Sequence, residues 1–208
     1  LGTPNLGAIE EFARVNERYE YLTGQRDDVL TSKRDLEGII GDITKQMTEI
    51  FVTEFAKINT YFGQTFTEMF GGGKASLELE DPNEPLTCGI EIRVQPPGKQ
   101  VKTITLLSGG EKAFVAIALY FAILKVRPTP FCMLDEIDAA LDDPNVNRFA
   151  NYMHGFSQKT QFIVITHRRG TMEAADMLYG VTMQEQGISK ILHLDLNQME
   201  QQLDIITE

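Results

Sequence analysis

Phe131-Cys132-Met133-Leu134-Asp135-Glu136 is the stretch on which the reading of the fold turns. Four apolar residues ending in two acids predict a short buried strand that delivers both carboxylates to its C-terminal end. In open α/β sheets that end is where ligands bind. Asp135 suits a magnesium ion, held directly or through water. Glu136 suits a base that orients and deprotonates water. Taken alone, the pair also reads as two capping or solvated acids after a strand.

Two further pieces flank it. Phe162-Ile163-Val164-Ile165-Thr166-His167 predicts a second buried strand, whose closing His167 lands near the same sheet edge. Upstream, Leu107-Ser108-Gly109-Gly110-Glu111-Lys112 opens a helix expected from about Gly109 to Val126. Ser-Gly-Gly at a helix start exposes backbone N–H groups with no Cβ in the way, at the positive end of the helix dipole. That suits an anion or a phosphate, and it equally suits an N-capped buried helix. His154 and His193 read as structural or surface residues, and Cys132 as a small core residue.

Outside these pieces the chain divides in two. A helical pattern runs from the turn at residues 1–7 to about Phe70, where Gly71-Gly72-Gly73 stops it. Leu36, Ile40, Ile43, Met47 and Ile50 step by fours and threes, as do Phe51, Phe55, Ile58, Phe62, Phe66 and Met69. This is a coiled-coil-like seam that needs a partner helix, and no matching helix follows in the sequence. Strands are expected at Ala75–Glu80 and Gly89–Gln95, with a third extended piece at Val101–Leu107. A helix at Pro144–Phe156, a short helix at Thr171–Asp176 and a hairpin of Tyr179–Gln184 with Ser189–Leu194 come next. A last helix is expected from about Asn197. Strands alternating with helices imply an α/β core with parallel strands.

Composition narrows the function classes. The 208 residues are 42% hydrophobic and 24% charged, ordinary for a globular domain with a real core. Cys88 and Cys132 are the two cysteines and the histidines number three, so neither a disulfide framework nor a zinc cluster is indicated. The longest apolar run, Ala113 to Leu124, is too short to span a bilayer. The net charge of −11 gives no bulk support for a basic nucleic-acid face. With Leu first and no signal segment, the chain reads as a fragment of a longer intracellular protein.

The ordered motifs resemble the signature motif, Walker B strand, D-loop and switch-histidine loop of ABC-type ATPases. The likeness extends to the C-terminal half of the head of bacterial SMC (structural maintenance of chromosomes) proteins. It is carried by Asn5–Glu11, Phe70–Gly73, Gln95–Lys99, Leu106–Lys112, Pro130–Asp143, Gln161–His167, Gly170–Glu173 and Leu178–Glu185. Lys112, where many relatives have Arg, is a mild departure.

The resemblance implies an α/β head lobe at residues 61–208, with parallel strands and flanking helices, and a returning coiled-coil arm at 1–60. It implies ATP and Mg²⁺. Asp135 would help hold the metal, Glu136 would activate water and His167 would contact the γ-phosphate. Ser108, Gly109, Gly110 and Glu111 would face ATP on another head, and Asp142 would lie in the loop crossing the head–head interface. Implied partners are the N-terminal half of the same protein, a second head, a kleisin with its accessory subunit, and DNA; no membrane is implied. The implied setting is chromosome condensation and segregation in the nucleoid-associated cytoplasm.

No phosphate-gripping lysine loop is present. Gly73-Lys74 has Glu68 where that motif needs Gly and is followed by Ala75; Gly98-Lys99 has Arg93 and Gln100 at the corresponding places. In SMC-like proteins that loop lies in the N-terminal half. Two other classes are compatible with the sequence: a coiled-coil ABC ATPase of DNA repair, and a non-catalytic kleisin-binding scaffold lobe. Pro96–Lys99 and Tyr179–Glu185 argue against the first, and intact Ser108, Asp135, Glu136 and His167 against the second.

Overall fold

The computed structural model describes residues 7–99, 103–158 and 160–195. The helix expected from Asn197, and Asn5-Leu6 of the opening turn, lie outside them. The chain divides into two compact units, residues 1–52 and 53–208.

The first unit contains most of one long helix, α1 (Gly7–Phe70). Its apolar positions Leu36, Ile40, Ile43, Met47 and Ile50 are all at least half exposed. A helix of this length is not held by propensity alone; such seams are normally closed by another helix.

In the second unit the last turns of α1 become core. Phe62, Thr65, Phe66 and Met69 are buried, and Phe55, Ile58 and Tyr61 pack at the margin. Phe66 stacks on Phe70 at 4.1 Å, and Phe70 meets Phe114 of the next helix at 4.8 Å. The glycine run ends α1 by turning left-handed, with the Gly72 N–H donating to Thr67 O at 2.9 Å. Gly73 is required there: a Cβ would sit 2.4 Å from the Gln95 carbonyl oxygen.

The antiparallel pair β1 (Lys74–Leu79) and β2 (Ile90–Gln95) follows, close to the expected bounds. The described part of the third extended piece, residues 103–107, is not a strand but holds a single 3₁₀ turn, Ile104–Leu106, leading into α2 (Gly109–Val126). Alternation over so few residues fits both conformations, and pairing with a neighbouring strand is what would have selected the extended one.

Helix α2 is buried on most sides through Phe114, Val115, Ile117, Ala118, Phe121, Ala122 and Leu124. Phe121 is its hub, within 5.1–6.1 Å of the rings of Phe149, Tyr152, Phe156 and Phe162. Burial and the Cys132 thiol 2.7 Å away push the Tyr120 phenol up to about 12, and this contact ties α2 to the next strand.

That strand, β3 (Phe131–Asp135), pairs in parallel with β4 (Gln161–Ile165), Asp135 opposite Ile165. Between them runs α3 (Asp143–Phe156). The apolar runs predict burial on both faces, but only one is covered. Cys132 and Leu134 are buried, whereas Phe131 and Met133 are 57% and 64% exposed and Ile163 and Ile165 also face outward. Among the described residues the parallel arrangement is confined to β3 and β4. After the short α4 (Arg169–Glu173), β5 (Met177–Glu185) and β6 (Ile188–Asp195) form the expected hairpin, with Val181 and Ile191 exposed. No described helix is long and apolar enough to cross a membrane.

Candidate functional site at the end of the parallel strands

The ladder of β3 and β4 continues one step past Asp135, because the Glu136 N–H donates to Ile165 O at 2.9 Å. Glu136 adopts φ +46°, and it is the one non-glycine among the described residues with positive φ. That region costs an L-residue roughly 1–2 kcal/mol. The twist turns the chain into a tight loop, in which Ala139 N–H donates to Glu136 O and Leu141 N–H to Asp138 O. Backbone strain of this kind collects at functional sites.

The Glu136 carboxylate lies 3.8 Å from His167 Nδ1, and both side chains are 60% exposed. At that separation they share an electrostatic field without a formed hydrogen bond. Asp135, at the strand end beside them, is exposed as well. The two strands thus bring Asp135, Glu136 and His167 to one edge, as their positions in sequence predict.

At the head of α2, Ser108 and Glu111 form a capping box. Ser108 Oγ accepts from the Glu111 N–H at 3.3 Å, while Glu111 Oε2 accepts from the Ser108 N–H at 3.1 Å and its O–H at 3.0 Å. The other carboxylate oxygen takes the Lys99 ammonium at 2.7 Å. Lys99 holds Glu111 below the usual carboxylate range; burial opposes this, and the two Ser108 donors add to the lowering. Helical bonding begins with Lys112 N–H to Ser108 O, so the N–H groups of Gly109 and Gly110 are the donors left over at the helix start. Gly110 lies against the loop after Glu136, since a Cβ there would meet the Ala140 carbonyl oxygen at 2.9 Å. No hydrogen bond or ion pair between described residues joins Ser108 or Glu111 to Asp135, Glu136 or His167.

Asp142 caps α3, its Oδ1 accepting from the Asn145 N–H at 3.0 Å, with Pro144 in the first turn. Sequence reasoning missed Asp138, four residues earlier and fully buried. It also missed Arg168, whose guanidinium donates to Leu141 O at 2.9 Å and to Asp143 Oδ1 at 2.7 Å. An acid set between Ile137 and Ala139 is the signal that would have marked Asp138.

Among the described residues no group of three or more His, Cys, Asp or Glu is placed to hold a metal unaided. Mg²⁺ is commonly bound by one or two carboxylates together with phosphate oxygens and water. The exposed Asp135 carboxylate fits one place in such a shell. Two exposed carboxylates, a histidine and a helix start with leftover N–H groups could together receive a metal-bound phosphate ligand.

Comparison with known proteins places the chain in a family. The RecF/RecN/SMC N terminal domain family matches residues 18–190, and the chain belongs to that family. It is 55% identical over 201 residues to the chromosome partition protein Smc of Bacillus subtilis (strain 168), covering 97% of this chain but 17% of that protein. The Smc head domain with an extended coiled coil derived from Pyrococcus furiosus, solved bound to the C-terminal domain of ScpA, aligns with TM-score 0.72 and 40% identity. The alignment covers 97% of this chain and 50% of that one. A structure from work on ATP-driven dimerization and DNA stimulated activation of SMC ATPases aligns at 0.67 and 42%, over 77% of this chain and 98% of that one.

Proposed function

We propose that this chain is the C-terminal lobe of an SMC-type ATPase head, residues 61–208, continuous with the returning coiled-coil arm at residues 1–60. The open apolar seam of α1 and coverage of 50% of a head solved with its coiled coil support one half of a head, and the missing lysine loop supports the C-terminal one. Completed by the N-terminal half and a second head, the lobe takes part in ATP binding and hydrolysis that drives head engagement. By itself it hydrolyses no ATP.

Glu136 accepts the proton of the attacking water and His167 contacts the terminal phosphate. Asp135 would hold Mg²⁺, which when bound neutralises charge on the phosphates. Ser108, Gly109, Gly110 and Glu111 present the helix start to nucleotide on the opposite head, and Asp142 belongs to the loop at the head–head interface. The single observation that carries this reading is the strained Glu136 at the end of a parallel strand pair, 3.8 Å from His167. The ScpA-bound relative supports a kleisin-type partner for this chain. An accessory subunit of the kleisin, DNA, a nucleoid-associated cytoplasmic setting and a role in chromosome condensation and segregation complete the proposal.

The test is ATP turnover and ATP-dependent head association in the intact polypeptide carrying Glu136→Gln or Asp135→Asn. Gln keeps the size of Glu but takes no proton, so turnover falls by about 10²–10⁴-fold while engaged heads accumulate. Asp135→Asn weakens Mg-dependent binding and engagement together. Near-normal turnover of Glu136→Gln removes it as the base, and identical behaviour of the two variants undoes the division of roles.

A further inference from the structure

Asp138 is fully buried, on the loop between Glu136 and Asp142. Its Oδ2 accepts two hydroxyls, from Thr166 at 2.7 Å and from Thr171 at 2.5 Å. Its Oδ1 is buried without a partner. Among the described residues no lysine, arginine or histidine pairs with it. A buried carboxylate held by hydroxyls alone is costly to keep, and an apolar residue of similar size would be cheaper if packing were all that mattered.

Its partners give it a purpose. Asp138 stands two residues after Glu136 and four before Asp142. Thr166 immediately precedes His167, and its hydroxyl also accepts the Arg168 N–H at 2.9 Å. Arg168, immediately after His167, donates back to Leu141 O and Asp143 Oδ1. His167 is therefore fastened on both sides to the segment 138–143. Thr171 extends the fastening to α4.

We infer that Asp138, through Thr166 and Thr171, is a positioning residue that locks His167 and the segment carrying Glu136 and Asp142 into one rigid piece. This rests on the roles given above to Glu136 and His167. A displacement of His167 at a bound phosphate is then passed to Asp142, and an approach of another head at Asp142 is passed back to His167. Neither Asp138 nor the threonines touch the reacting atoms. Their loss loosens geometry that matters in the transition state, and misplacement by about 1 Å costs on the order of 10²-fold in rate.

Thr171→Val is the cleanest probe, because it deletes one hydroxyl at nearly constant volume at a buried position. Steady-state ATP hydrolysis is measured on the intact polypeptide with Thr171→Val, Thr171→Ser, Asp138→Ala and Asp138→Asn, alongside thermal unfolding. Thr171→Val and Asp138→Ala lower kcat by about ten- to a hundredfold with KM for ATP nearly unchanged, the pattern of an interaction that counts only in the transition state. Thr171→Ser restores the donor and Asp138→Asn keeps one oxygen for both hydroxyls, so both recover most of the rate. If Asp138→Ala does not fold, the Thr171 pair decides. Parental kcat in Thr171→Val overturns the inference, as does a loss that Thr171→Ser shares or one confined to KM. Glu136→Gln in the same assay separates the two levels: if it turns over normally the site reading fails, and if it stops turnover while Thr171→Val does not, only the lock fails.

Discussion

Gly109 and Gly110 are neighbours in sequence with opposite surroundings, and substituting each by Ala separates packing within the lobe from contact outside it. A methyl at Gly110 would lie 2.9 Å from the Ala140 carbonyl oxygen, where ordinary contact begins at 3.4 Å. The missing half ångström must come from α2 or from the loop after Glu136. Neither gives easily, since α2 is pinned by fully buried Phe114 and the loop by fully buried Asp138. Overpacking of this kind costs roughly 1–3 kcal/mol. The helix-propensity gain of Gly→Ala returns at most about 1 kcal/mol and less in a first turn. The net is a destabilisation of about 1–2 kcal/mol, or roughly 2–8 °C in Tm for a domain of this size.

At Gly109 a methyl meets nothing within 4 Å, so the same substitution leaves Tm at or slightly above the parent value. Calorimetry on the intact polypeptide measures the first quantity, and sedimentation with ATP in a Glu136→Gln background measures head association. Gly110→Ala loses both stability and association; Gly109→Ala loses association alone. A Gly110→Ala protein as stable as its parent refutes the packing argument. A Gly109→Ala protein that associates normally refutes the assignment of this helix start to the opposite nucleotide.

Ser108→Arg places a bulky side chain at the same helix start; nucleotide binding within each head persists while ATP-dependent association, followed by light scattering, is lost. Phe121→Ala empties the ring cluster around α2 and costs about 3–5 kcal/mol, read as a fall in the denaturation midpoint. The depressed Glu111 pKa contributes stability that is present above the unfolded value of about 4.3 and is lost as pH falls through the lower folded value. Glu111→Gln and Lys99→Met both flatten the acid limb of a stability–pH curve, and an unchanged limb in either would refute the ion pair's part in it.

The start of α2 is plain in the sequence because Ser108 followed by Gly109-Gly110 is a local helix-start signal, and the helix runs as expected from Gly109 to Val126. Asp135, Glu136 and His167 were legible for a similar reason: each stands at or within two residues of the end of an apolar strand, and parallel strands align their C-terminal ends. Burial of those strands was not legible. An apolar run says what a strand prefers, while exposure of Met133 and Ile163 reflects what else is there to cover them. Asp138 was hidden because its two donors are 28 and 33 residues away, and no local pattern announces a partner at that separation. The 3₁₀ turn at Ile104–Leu106 was missed because three residues carry too little periodicity to choose a conformation.

The left-handed backbone at Glu136 also sets a course for how this chain would drift. Glycine or asparagine would sit there with less strain, so a library sorted for heat resistance alone should enrich both at this position. A library sorted for growth should hold the acid. The two selections would pull hardest against each other at one codon, and that divergence is visible by sequencing without any enzyme assay.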